Sequence, residues 1–256
     1  MRGMRRPGLS LVLRVLMAAA ALAALAACAP GFQRNPLADD VKISPNVSAR
    51  RVSLVVIHHT SSSSHESALR TLRDPLREVS AHYLIARDGR LIQLVDEADR
   101  AWHAGRARWG AITDVNSASI GIELDNNGDE PFPAAQMAAL YRLLDDLRAR
   151  HRLTPLAYVG HADVAPGRKV DPSAHFPWRE MALRGFGLWC DPPLAAAPAG
   201  FDVALGLQAL GYELASPDAA AMAFALHYGA PQAGLAALDP ALVACLVAQA
   251  RAVTEP

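Results

Sequence analysis

Lysine is almost absent from this 256-residue chain: of its 25 basic residues only Lys42 and Lys169 are lysines, and the others are arginines. Surplus positive charge is absent too, because 25 acidic residues balance the 25 basic ones. Nucleic-acid binding needs a basic face or stripe, so nucleic acid is excluded as a partner, and no protein partner is signalled. Cysteine is scarce, with Cys28, Cys190 and Cys245 the only three. The apolar stretch from about Val15 to Ala27 is too short for a membrane span of roughly 20 residues.

That stretch follows a basic start, Arg2, Arg5 and Arg6, and the combination is the pattern of a signal peptide over residues 1–27. It ends Leu25-Ala26-Ala27-Cys28, which resembles a bacterial lipobox. Cleavage before Cys28 and acylation there would anchor the chain to a membrane surface; ordinary secretion with Cys28 left free is the alternative. Ala29, where an aspartate would hold a lipoprotein at the inner membrane, points to the outer membrane, so the expectation is an exported, periplasm-facing lipoprotein. Removing the leader's four arginines (Arg2, Arg5, Arg6, Arg14) leaves 21 basic against 25 acidic residues, a net charge of −4. With Cys28 spent on the anchor, Cys190 and Cys245 are free to pair in an oxidising compartment. The sequence does not show that they meet.

Residues 28–50 are polar and proline-punctuated and read as a tether. A β-branched run from Val52 to Ile57 predicts a buried strand leading to His58. Two short strands, Ala81–Ala86 and Leu91–Val95, flank Asp88-Gly89, a strong hairpin turn signal. Ser119–Leu124 predicts another strand, and Ala157–His161 a further one. From Pro133 a helix is predicted, with Met137, Leu140, Tyr141 and Leu144 on one face. Strands interleaved with helices imply an α/β or α+β domain over residues 51–190. Residues 191–200 (Asp191-Pro-Pro to Gly200) read as a linker. Three helical patterns follow in residues 201–256, over Phe201–Leu210, Asp218–Tyr228 and Pro240–Val253. Asp218 and Asp239 stand where N-caps belong. No acid–base or metal cluster occurs there, so this part reads as a small separate binding module.

The chemistry gathers in the middle of the chain. His58 and His161 each end a predicted strand, and Asp171 follows in His161-Ala-Asp-Val-Ala-Pro-Gly-Arg-Lys169-Val-Asp171-Pro. Two imidazoles and a carboxylate suit a hydrolytic Zn²⁺ site with a fourth position for water. The same set also serves non-haem iron. Alternation puts His58 and His59 on opposite faces of a strand without saying which faces the site. Asp163 and His175 compete with Asp171 as third ligand. In Ile120-Gly-Ile-Glu-Leu124, the residues Ile120, Ile122 and Leu124 share a core face. Gly121 and Glu123 share the other, where the glycine leaves room for a ligand and Glu123 could move a proton; a solvated glutamate is the bland alternative. Lys169, a lysine among arginines and two residues from Asp171, could stabilise an oxyanion. Trp102-His103-Ala-Gly suits a groove wall that binds substrate, or else an ordinary buried tryptophan. His82 reads as structural.

Taken in order, Val-Ile-His58-His-Thr, Ser80-Ala-His82-Tyr-Leu-Ile, Asp88-Gly, Trp102-His103-Ala-Gly, Ser119-Ile-Gly-Ile-Glu123 and the His161–Asp171 run resemble the type 2 N-acetylmuramoyl-L-alanine amidases. That family includes peptidoglycan recognition proteins and phage amidase lysozymes, and the resemblance covers roughly residues 50–190. It implies a central mixed β-sheet flanked by helices, Zn²⁺ held by His58, His161 and Asp171, Glu123 as catalytic acid/base, and Lys169 stabilising the tetrahedral intermediate. It implies peptidoglycan or muropeptides as substrate, cut between the lactyl group of N-acetylmuramic acid and L-alanine, in cell-wall turnover. Phage members carry cysteine in place of Asp171 and tyrosine at the position of Ala81; this chain has neither and fits the carboxylate branch. Residues 201–256 resemble, more loosely, a peptidoglycan-binding domain. A non-catalytic peptidoglycan receptor is the alternative from another class, and such receptors typically lack a metal ligand.

Overall fold

The computed structural model describes residues 32, 34–49, 52–230 and 234–254. The expected signal peptide and Cys28 lie outside the described residues. Residues 34–256 form one compact unit, and no helix among the described residues is long and apolar enough to cross a membrane.

The strands are β1 (Asp40–Val41), β2 (Val47–Ala49), β3 (Leu54–His59), β4 (Tyr83–Ile85), β5 (Leu91–Gln93), β6 (Asp99–Ala101), β7 (Ser119–Leu124) and β8 (Tyr158–Gly160). Six of them make one sheet in the order β1-β5-β4-β7-β3-β8, and β2 pairs with β6 in a second. In the main sheet only β4 and β5 run antiparallel, joined by the expected turn at Asp88-Gly89. The other neighbours are parallel. The helices are α1 (His65–Arg73), α2 (Val115–Ala118), α3 (Ala134–His151), α4 (His161–Val164), α5 (Trp178–Leu183), α6 (Val203–Leu210), α7 (Pro217–Tyr228) and α8 (Pro240–Thr254). This is the mixed sheet flanked by helices that the patterns predict.

Strand alternation divides the sheet's two faces by chemistry. Val55 and Ile57 of β3, Ile120, Ile122 and Leu124 of β7 and Tyr83 and Ile85 of β4 form one core with Leu140, Leu143, Leu144 and Leu147 of α3. The face expected of α3 is the buried one. On the other face, Val56 and Val159 pack with Ala104, Val115 and Val164. His58 and Glu123, paired in register across β3 and β7, share that second face.

Several readings change. The segment read as tether is in large part folded onto the domain: β1 pairs with β5 and β2 with β6. The Asn35 side chain is buried and donates to Tyr83 Oη (3.3 Å) and Asp146 Oδ2 (2.8 Å). The strand before His161 ends at Gly160, and His161 opens α4 instead. Asp218 does not cap α7; Ser216 holds that place, while Asp218 accepts from Leu235 N at 2.8 Å.

The C-terminal helices are not a separate bundle. Leu207, Leu210, Tyr212, Phe224 and Leu246 share a core with Ala162, Leu188 and Cys190 of the preceding domain. A Cys190–Cys245 disulfide, with Cα atoms 6.3 Å apart, fastens α8 to the start of the linker.

At the opposite side of α3, Glu97 accepts from Tyr83 Oη, from Arg150 (Nη2–Oε1 2.7 Å) and from His151 (Nε2–Oε2 2.7 Å). Burial opposes its charge most strongly, but the hydrogen bonds from Arg150, His151 and Tyr83 outweigh it and hold the carboxyl well below the usual range. A depressed folded-state pKa contributes stability above the unfolded value of about 4.5 and loses it as pH falls. Glu97→Gln is therefore expected to lower Tm at pH 7, with the gap to the unaltered chain closing as melting curves are recorded below about pH 4.5.

Candidate active site

Three side chains converge at the carboxyl ends of β3 and β8. His58 comes from β3, His161 opens α4 directly after β8, and Asp171 lies on the loop beyond. That loop is closed on itself by backbone bonds: Ala162 N donates to Asp171 O at 2.8 Å, and Ala165 N to His161 O at 3.0 Å. Lys169 N likewise donates to Ala165 O at 3.1 Å. Ligands ten residues apart are thereby brought together.

The ligand atoms form a small triangle. His58 Nδ1 and His161 Nδ1 are 2.9 Å apart, and Asp171 Oδ2 is 3.0 Å from the first and 3.1 Å from the second. All three residues are buried. The outer nitrogens decide what occupies the inner edges. His161 Nε2 donates to the Ala104 carbonyl at 3.1 Å, and a carbonyl can only accept, so the neutral ring turns a lone pair on Nδ1 inward. For His58 a chain of donors leads to the same result. Ser119 Oγ spends its proton on Val115 O (2.6 Å) and so accepts from His103 Nε2 (3.1 Å). In the neutral ring, His103 Nδ1 then accepts from His58 Nε2 (3.0 Å), and His58 Nδ1 faces inward bare. Burial and the neighbouring His161 push the His58 imidazole down to about 4, although Asp171 opposes this, so it is neutral at pH 7. Asp171 is held ionised: burial works against its charge, but the adjoining His161 and His58 outweigh it.

Three lone pairs at about 3 Å, with no proton left to bridge them, repel one another unless a cation lies between. Two imidazole nitrogens and a carboxylate oxygen are borderline-hard donors, and a tetrahedron of ~2.05 Å bonds would set them about 3.3 Å apart, close to what is found. Among the described residues these three are the one group placed to hold a metal ion.

Each candidate now has a place. His59 points to the other side and accepts from Ser173 N at 3.1 Å, which pins the chain two residues beyond Asp171. Asp163 and His175 are not in the triad: Asp163 is turned to a different set of donors, and His175 is exposed. Glu123, Lys169 and Trp102 line a groove of about 270 Å³ with the three ligands. Glu123 Oε2 is buried with no hydrogen-bond partner among the described residues. Burial, reinforced by Asp171 and opposed by Lys169, lifts its carboxyl to about 8. Trp102 Nε1 is also buried and unpartnered among the described residues. His82 is structural as expected: its Nδ1 accepts from Gly121 N (3.0 Å) and its Nε2 donates to Asp99 O (3.1 Å).

One expectation is corrected. Gly121 does not leave room for a ligand, because a Cβ there would lie 2.4 Å from His103 Cγ. The imidazole of His103 fills that space and bonds His58 Nε2 at 3.0 Å, while it also lines the groove with Trp102. The signal was legible in part, since a glycine facing an active face implies something close above it. What occupied it was not.

A two-histidine, one-carboxylate cluster that could hold a metal ion, set on a mixed sheet, defines the class of this α/β domain. Comparison with known proteins narrows this. The family model for N-acetylmuramoyl-L-alanine amidase (Amidase_2) matches residues 48–174. N-acetylmuramoyl-L-alanine amidase AmiD of Escherichia coli is 41% identical over 157 residues, 55% of this chain and 56% of that protein. 1,6-Anhydro-N-acetylmuramyl-L-alanine amidase AmpD of Haemophilus influenzae is 42% identical over 101 residues, 39% of this chain and 55% of that protein. The chain thus spans about half the length of these relatives. Among solved structures, E. coli AmiD superposes with a TM-score of 0.68 at 34% identity, covering 79% of this chain and 91% of that one. AmpDh3 of Pseudomonas aeruginosa gives 0.70 at 26% identity, covering 87% and 97%. The chain belongs to the N-acetylmuramoyl-L-alanine amidase family.

Partners behind metal-bound histidines typically tune metal affinity 10- to 100-fold. His103→Ala, and Gly121→Ala through displacement of the His103 ring, are each expected to weaken zinc binding by about tenfold or more while the fold persists. Competition against a chromophoric chelator, with circular dichroism as the control, measures this.

Proposed function

We propose that this protein is a zinc-dependent N-acetylmuramoyl-L-alanine amidase acting on peptidoglycan or muropeptides. The reading is carried by the inward-facing lone pairs of His58, His161 and Asp171 beside a glutamate whose buried Oε2 has no hydrogen-bond partner among the described residues. Relatives add support: the AmiD structure holds a substrate, anhydro-N-acetylmuramic acid-L-Ala-D-gamma-Glu-L-Lys, and an AmpDh3 structure holds an anhydromuramic pentapeptide.

Bound Zn²⁺ supplies Lewis-acid activation of water and of the scissile carbonyl. The chain's own residues do the rest. Glu123 Oε2 takes the proton of the attacking water and returns it to the alanine nitrogen as the amide bond breaks. Its elevated pKa makes it a ready proton carrier, and a cation held by the neighbouring ligands would bring that value down toward neutrality. The Lys169 ammonium, on the same groove wall, stabilises the negative charge that develops on the carbonyl oxygen. Trp102 offers an apolar wall and an indole N–H to the sugar or lactyl group.

Asp171→Ala is expected to abolish zinc retention and hydrolysis together. Glu123→Gln should retain zinc and lose at least about 100-fold in kcat, within the range for removal of a general acid–base. Metal analysis and mass spectrometry of products from defined muropeptides measure both. Hydrolysis by Asp171→Ala at the normal rate would refute the ligand assignment.

We further propose that the mature chain is held at the outer membrane through lipidated Cys28, on the strength of the leader and Leu25-Ala26-Ala27-Cys28. Fatty-acid labelling of the expressed chain should be lost in Cys28→Ser, and unlabelled normal chain would refute the anchor.

A further inference from the structure

Asp163 lies two residues from the ligand His161, is 1% exposed, and takes no part in the ligand triad. A buried carboxylate needs donors, and this one has three. Oδ2 accepts from Gly160 N at 2.6 Å and from His227 Nδ1 at 2.6 Å, and Oδ1 accepts from Tyr212 Oη at 2.7 Å. The first bond clamps the residue immediately before His161. The other two come from the C-terminal helices, His227 from α7 and Tyr212 from the turn after α6.

The same contact reaches the other side of the metal loop. The His227 ring stacks on Trp178, with centroids 3.7 Å apart and planes 15° from parallel. A Cβ on Gly160 would lie 3.1 Å from Trp178 Cζ2 and 3.0 Å from Pro172 Cδ, so Trp178 and the residue after Asp171 close on the Gly160 backbone together. Ala162, beside His161, is buried in the core of the C-terminal helices. Both ends of the ligand loop are therefore packed against residues that the C-terminal helices hold.

We propose that the C-terminal module positions the metal centre: Asp163, gripped by Tyr212 and His227, is a positioning residue that fixes the backbone bearing His161. This inference rests on the zinc reading above. It assigns the module a role in building the site, beyond any contact with cell-wall polymer.

The test is zinc affinity of the whole chain, measured by chelator competition well below Tm. Tyr212→Phe and His227→Leu are each expected to weaken zinc binding about tenfold, as removal of supporting hydrogen bonds does elsewhere. His227→Asn, which keeps a donor near the Nδ1 position, should recover most of the loss. Val243→Ala, in the module's core against Gly206, should lower Tm but leave zinc affinity within about twofold, because Val243 makes none of the hydrogen bonds to Asp163. Normal zinc affinity in both Tyr212→Phe and His227→Leu would overturn this inference alone. So would equal weakening in Val243→Ala, which would reduce the effect to general stability. Failure of the unaltered chain to bind zinc would overturn the metal reading and this inference with it.

Discussion

The structure turns on a set of hydrogen bonds that point away from the site. The Ala104 carbonyl takes the outer proton of His161, and the Ser119–His103 pair takes that of His58. Because a neutral imidazole has only one N–H, both inner nitrogens are left as acceptors facing the Asp171 carboxylate at about 3 Å. Such an arrangement is electrostatically unfavourable without positive charge at its centre. The surrounding chain is built to preserve it: Gly121 gives up its side chain so that His103 can sit behind His58, and the 161–171 loop is cross-linked by its own backbone.

Sheet geometry explains why a buried carboxyl group lies next to this centre. Parallel pairing in register sets His58 beside Glu123, and alternation sends the neighbours of both residues into the apolar core under α3. The glutamate thus projects from a rigid strand into a groove where, among the described residues, Oε2 has no donor. His59, one residue on, falls to the opposite face and is used to hold Ser173. One dipeptide serves the candidate metal cluster with its first histidine and the 161–171 loop with its second.

The linker at residues 191–200 does not separate two independent bodies. The Cys190–Cys245 disulfide, the shared apolar core and the buried Asp163 bonds all cross it. A buried carboxylate satisfied from two sides is costly to separate, so the helices after the linker form part of the amidase fold in energetic terms.

Local patterns carried much of the fold. The alternation of Ile120, Ile122 and Leu124, the Asp88-Gly89 turn, the spacing of Met137, Leu140, Tyr141 and Leu144, and the C-terminal helices were all legible, because period and turn chemistry are properties of neighbouring residues. Helix α1 was missed because only Ala68 and Leu72 are buried along it, too thin a stripe to register. The motifs named the ligands through their resemblance to a family, whereas the residues alone left His59, Asp163 and His175 in contention. Tertiary structure gathers His58, His161 and Asp171 into one cluster and leaves the other three out of it. Which face of β3 meets the loop, what fills the space above Gly121, where Asn35 is buried, and whether Cys190 finds Cys245 all depend on partners 18 to 113 residues apart. No local pattern encodes a contact at that separation; packing the sheet, the loop and the C-terminal helices together does.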